Sequence, residues 1–97
     1  MADFVDFYGL SFEAEYSLFA SEFEALPGVY VVYTEKSCLD IGSTDNLKES
    51  IETHKNTREW LKFAGKDEIF VAFHLDEDKE SREDKEAYLR SKMNPLI

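Results

Sequence analysis

A chain of 97 residues with 21 acidic and 11 basic side chains carries a formal net charge of −10 and has room for one domain, since domains take roughly 100–200 residues each. Its 43% apolar and 14% aromatic content excludes a disordered acidic tail, and no apolar run approaches the roughly 18 residues of a membrane span. The acidic opening stretch lacks the basic start of a secretory leader, and the lone Cys38 offers no internal disulfide, so the expectation is a cytoplasmic domain in a reducing compartment.

In chain order, Phe4-Val5-Asp6-Phe7-Tyr8 reads as either a short strand or an ordered arm. Phe12, Tyr16, Phe19, Phe23 and Leu26 recur at spacings of 4, 3, 4 and 3, one stripe of an amphipathic helix. Ser11 would cap that helix and Pro27-Gly28 would stop it. The β-branched and aromatic run from Gly28 to Thr34 predicts a buried strand, and Cys38 to Gly42 its return partner in a hairpin. Ser43-Thr44-Asp45-Asn46 holds capping residues ahead of a helix over 45–64, closed by Gly65. Ile69-Phe70-Val71-Ala72-Phe73 predicts a third strand, 76–80 a solvated acidic loop, and 81–93 a last helix stopped by Asn94-Pro95. The expected fold is α+β: a small three-stranded antiparallel sheet flanked by helices, with an extra N-terminal amphipathic helix. Residues 1–25 would form the acidic segment with that helix, and residues 26–97 one compact unit.

Gly28-Val29-Tyr30 stands ahead of Asp40-Ile41-Gly42, and Ser43-Thr44-Asp45-Asn46-Leu47 opens a helix containing His54. A third strand, then Glu86 in the last helix and Pro95 after it, complete a succession that resembles the GIY-YIG nuclease domain over residues 26–97. The resemblance implies a site on one sheet face. There the first motif's tyrosine acts on an attacking water, an arginine of the first helix steadies the phosphate, and a glutamate of the last helix binds a divalent metal. By position, Tyr30 matches that tyrosine, Glu86 the metal glutamate, and His54 a histidine found in several members.

The pattern departs from the family at two places. Asp40 replaces the second tyrosine, and Ser50 stands where the helix arginine belongs; Ser43 occupies a position where some members carry lysine. Arg58 lies two turns further on, a displacement of about 12 Å along a helix against a catalytic tolerance of about 1 Å. Losing one preorganised charge donor costs about 10²–10³ in rate, and Asp40 would repel a phosphate. Tyr30, His54 and Glu86 are therefore expected to be vestigial in a catalytically degenerate domain. The alternative is a metal-dependent endonuclease with an atypical site, using Mg or Mn at Glu86; without activity no cofactor is expected.

Plainer readings compete at each position. Tyr30 also fits a core aromatic with a polar tip, Glu86 stands four residues from both Arg82 and Arg90 as a surface pair would, and His54, His74 and Cys38 lack metal-ligand spacing. Residues 1–26 carry six acids and no base, residues 27–66 are balanced, and residues 67–97 carry nine acids and five bases. That distribution disfavours nucleic acid, whose affinity scales with phosphate-neutralising cations. The expected partner is another protein, met through Phe12, Tyr16, Phe19 and Phe23; a homo-oligomer through the same stripe is the third reading, and no membrane is implied.

Overall fold

The unbroken run Gly28–Tyr33 becomes β3, a strand buried from Gly28 through Val32 and hydrogen-bonded on both sides. The computed structural model describes residues 3–97; the first two residues of the expected N-terminal segment lie outside the described residues. Among the described residues the elements are β1 (Asp3–Phe7), β2 (Leu10–Ser17), β3 (Gly28–Tyr33), β4 (Cys38–Thr44), α1 (Leu47–Glu52), α2 (Thr57–Ala64), β5 (Phe70–Leu75) and α3 (Lys79–Met93). The strands form one antiparallel sheet in the order β1-β2-β5-β3-β4. The α+β class holds, but the sheet has five strands where the sequence predicted three.

The extra strands replace the expected N-terminal helix. Tyr8 and Gly9 both take positive φ, 53° and 91°, and join Phe7 to Leu10 in a two-residue hairpin turn whose twist suits antiparallel strands. Leu10, Phe12 and Ala14 then recur with period two and turn toward one face, with Phe12 and Ala14 buried. A register irregularity between Glu13 and Tyr16 carries Tyr16 to the opposite face, where it stacks on Phe73 at 5.5 Å. The chain leaves the sheet at Leu18, whose N–H donates to the Ile69 carbonyl. The 4-3-4-3 spacing thus spans a strand and a loop.

The predicted helix over 45–64 divides at residues 53–56. The Thr53 hydroxyl turns back to the Glu49 carbonyl, and Asn56 sends its side chain to Asp40 instead of capping α2. Tertiary bonding therefore overrides a continuous helical pattern. The last helix forms as expected and begins two residues earlier, at Lys79, because Asp78 caps it by accepting from Ser81 N–H. It stops at Asn94, in the left-handed conformation, one residue before Pro95.

Side chains on the two faces of the sheet feed separate clusters. Tyr30, Val32, Leu39 and Val71 pack with Leu47, Ile51, Trp60 and Ala64 of α1 and α2. Val29, Val31, Ile41, Phe12 and Ala72 pack with Leu89 of α3. Opposite Tyr30 in the register stands Gly42, and a Cβ there would collide with the Tyr30 ring. Glycine at this position is what lets the ring lie flat across β4.

Two predictions follow from this packing. Gly42→Ala forces the buried ring aside, an overpacking cost of about 1–3 kcal/mol, and a urea melt will show a lower midpoint. At the other end of α3, Asp76 accepts from Lys85 Nζ at 2.7 Å and from the Ser81 hydroxyl at 2.6 Å, which hold its carboxyl well below the ordinary 3.8. A depressed carboxyl contributes stability above its unfolded pKa and loses it as pH falls through the folded one. Thermal melts from pH 5 downward will therefore show Asp76→Asn with a shallower acid slope than the native chain.

Candidate functional site

The site expected from sequence centres on the break between α1 and α2. The Tyr30 phenol oxygen lies 2.8 Å from His54 Nε2. The Asn56 backbone N–H donates to His54 Nδ1 at 2.9 Å, so the ring proton sits on Nε2 and is donated to Tyr30. The imidazole packs on Trp60 with ring centroids 4.5 Å apart. Burial lowers the His54 pKa below 6.5, Asp40 opposing this and Lys55 adding to it. Burial likewise raises the Tyr30 phenol well above its ordinary 10, with the charges of Asp40 and Glu86 pushing the same way and Arg90 against. The pair at neutral pH is a phenol beside an uncharged imidazole whose lone pair is occupied. Neither group is set to take a proton from water.

Asp40 departs most from the expectation. Its side chain is only 3% exposed, on strand β4, yet both oxygens are saturated. Oδ1 accepts from Arg90 Nη2 at 2.9 Å and from the Ile41 N–H at 2.9 Å. Oδ2 accepts from Trp60 Nε1 at 3.0 Å and Asn56 Nδ2 at 3.2 Å. Asp40 is thus held inside a hydrogen-bonded network and shares the single Arg90 guanidinium with Glu86.

Arg90 reaches around the free edge of β4 from α3. It also donates to the Glu86 carboxylate through Nε at 3.1 Å, to the Ile97 carbonyl through Nη1 at 2.9 Å, and to the Ile41 carbonyl. The C-terminal residues run beside the same edge, Leu96 N–H and Ile97 N–H donating to the carbonyls of Cys38 and Leu39. Unpaired edge groups that would invite another strand are thereby covered.

Glu86 is held on both oxygens, by the Ser43 hydroxyl at 2.7 Å and by Arg90. A divalent cation at Glu86 would have to displace that hydroxyl and sit beside a guanidinium. Among the described residues no three His, Cys, Asp or Glu side chains are grouped as a metal site, and this donor set does not fit a Mg or Mn ion. Of the two arginines spaced to pair with Glu86, only Arg90 does; Arg82 is buried and donates to the Asp76 and Glu77 carbonyls.

Ser50 holds its hydroxyl 2.6 Å from that of Thr44. Arg58 is exposed on α2, beyond the helix break. The hollow beside Ser43 and Thr44 is lined by Asp45, Lys79, Arg82 and Glu83, not by Tyr30 or His54. Burial, seconded by Asp40, pushes the Cys38 thiol up to about 11, which favours its protonated form at neutral pH. Of the residues expected at the site, Tyr30 and His54 touch each other, Ser50 bonds Thr44, and Glu86 bonds Ser43 and Arg90. The four aromatics expected to form one binding stripe do not share a surface: Phe12 is buried in one cluster, Phe23 in the other, Tyr16 is half-buried, and Phe19 is 68% exposed.

Sequence reasoning missed Asn56 and Trp60 and saw Arg90 only as a surface partner for Glu86, although one signal pointed to all three as partners of Asp40. An aspartate between Leu39 and Ile41 on a buried strand must find donors, and tryptophan and arginine are the residues that supply them from nearby helices. Asp40→Ala leaves the Trp60 indole and the Asn56 amide without their shared acceptor and removes one of several acceptors of the part-exposed Arg90, a loss of about 1–3 kcal/mol. Chemical denaturation will measure it, and Arg90→Met will cost a similar amount by removing the only cation paired, among the described residues, with the buried carboxylate. Comparisons with protein-family models, with curated proteins and with solved structures found no match to this chain.

Proposed function

We propose that this chain is a non-hydrolytic binding module whose site is a degenerate form of the GIY-YIG pattern, and that it acts by contact with another protein. The observation that carries the reading is the saturated Asp40 carboxylate in the second tyrosine's place, which engages Arg90, Trp60 and Asn56 in one internal network. Hydrolysis of a phosphodiester needs a deprotonated nucleophile and positive charge at the phosphoryl oxygens. Here the phenol keeps its proton, its histidine is blocked at Nδ1, and the nearby guanidinium is occupied by carboxylates and carbonyls.

Charge supports a protein partner over nucleic acid. With a net charge of −10, long-range steering repels a polyanion and favours cationic surfaces. The alternative, a metal-dependent endonuclease, is separated by a plasmid-nicking assay in Mg²⁺ or Mn²⁺ run beside Glu86→Ala and Tyr30→Phe. Native protein and both variants are expected to leave supercoiled plasmid intact to the same degree. Metal-dependent nicking that Glu86→Ala abolishes would overturn the proposal.

A further inference from the structure

Phe4, Glu13, Phe73 and Tyr30 stand opposite one another in successive strands β1, β2, β5 and β3. They therefore share one face of the sheet. Helices α1 and α2 cover the Tyr30 end of this row. The other end is open, with Phe4 68% and Leu75 53% exposed.

A hollow of about 280 Å³ lies there, floored by Tyr16, Phe73 and Leu75 and rimmed by Glu13, Glu22 and Glu24. A second hollow of about 200 Å³ adjoins it through Glu13, Phe73 and Leu75 and extends to Phe4. Among the described residues neither hollow is lined by lysine or arginine, and none of the three rim glutamates joins a salt bridge. The field they make is felt on the floor: burial first, then Glu13 and Glu24, raise the Tyr16 phenol above 10.

We infer that this half-covered face is the docking surface for a basic, amphipathic segment of a protein partner, one apolar side chain entering the hollow while flanking lysines or arginines meet Glu13, Glu22 and Glu24. The inference rests on the binding-module reading above and names its surface and the chemistry of its partner. Charge complementarity selects the occupant: an apolar floor anchors an aliphatic or aromatic side chain, and an acidic rim steers and orients cations. Each hollow is smaller than the roughly 300–1,000 Å³ of small-molecule pockets, which suits an anchoring side chain better than a whole cofactor. A nucleic acid would bring its phosphates against the glutamates.

Fluorescence anisotropy tests this with three labelled short peptides: one alternating Lys with Leu and Phe, one with Glu in place of Lys, and one with Ser in place of Leu and Phe. The first should bind in the micromolar range, and the other two at least about tenfold more weakly, since charge and anchor contribute together. The exposed pairs Glu22→Lys with Glu24→Lys, and Phe4→Ser with Leu75→Ser, should each weaken the first peptide about tenfold or more, whereas Glu80→Lys on α3 changes it less than about twofold. Circular dichroism melts confirm that the variants remain folded. No binding of the first peptide, equal binding of the Ser peptide, or indifference to both variant pairs would overturn the surface. Any of these with a silent nicking assay refutes the surface alone; metal-dependent nicking refutes the reading beneath it.

Discussion

A buried carboxylate must be paired or it destabilises the fold that buries it, and the pairing of Asp40 organises this molecule. Through Arg90 it ties β4 to α3, and through Trp60 and Asn56 it ties the same strand to α2. Arg90 then links Glu86, the Ile41 carbonyl and the C-terminal Ile97 carbonyl to the same centre. Elements on both sheet faces and the covered edge of β4 thus meet at one charge. The break in the helical run at 53–56 belongs to this arrangement, because Asn56 reaches Asp40 with its side chain while its backbone N–H fixes the His54 tautomer.

That arrangement also underlies the proposal of a non-hydrolytic site. An arginine that neutralises a buried carboxylate is not free to meet a phosphate, and a phenol placed near Asp40 and Glu86 holds its proton more tightly, not less. Glu86 is bound to the same guanidinium through one oxygen and to the Ser43 hydroxyl through the other, so a metal would have to displace both contacts. The residue types associated with phosphodiester hydrolysis are present at Tyr30, His54 and Glu86, but Tyr30 and His54 bond each other and Glu86 bonds Ser43 and Arg90. Identity at a motif position and availability for chemistry are separate properties, and the partners of each atom decide the second.

The hairpin of β3 and β4, the strand β5 and the helix α3 were legible because their signals are local: a β-branched run, a return strand within reach, a capping aspartate, and Asn94-Pro95 as a stop. The N-terminal stripe reads as a helix because four aromatics and Leu26 fall at helical spacing. The period-two set Leu10, Phe12 and Ala14, and the turn made by Tyr8 and Gly9, were the competing signals. Pairing with β5 favoured the strand, since a distant partner stabilises β structure that local spacing does not reveal. At the site, Tyr30 and His54 were set beside each other only by the resemblance to the GIY-YIG pattern. The network around Asp40 was not legible, because Arg90 lies fifty residues away in sequence and reaches its partner around a sheet edge that exists only after folding.

The corrected N-terminus changes the surface as well as the topology. Strands lie about 4.8 Å apart, so five of them span about 19 Å between the outermost two, whereas a helix with its side chains is about 10–12 Å across. Helices α1 and α2, with six and eight residues, pack against the β3 and β4 side of one face. Adding β1 and β2 widens that face without adding a helix to cover it. A sheet face left to water ordinarily alternates toward polar residues, yet Phe4, Tyr16, Phe73 and Leu75 are apolar or aromatic and three glutamates surround the hollow among them. Apolar side chains that the molecule leaves uncovered, inside a ring of one sign of charge, match what a complementary surface covers on binding. The strands that contradict the expected fold are therefore the same ones that provide this acidic, half-covered face.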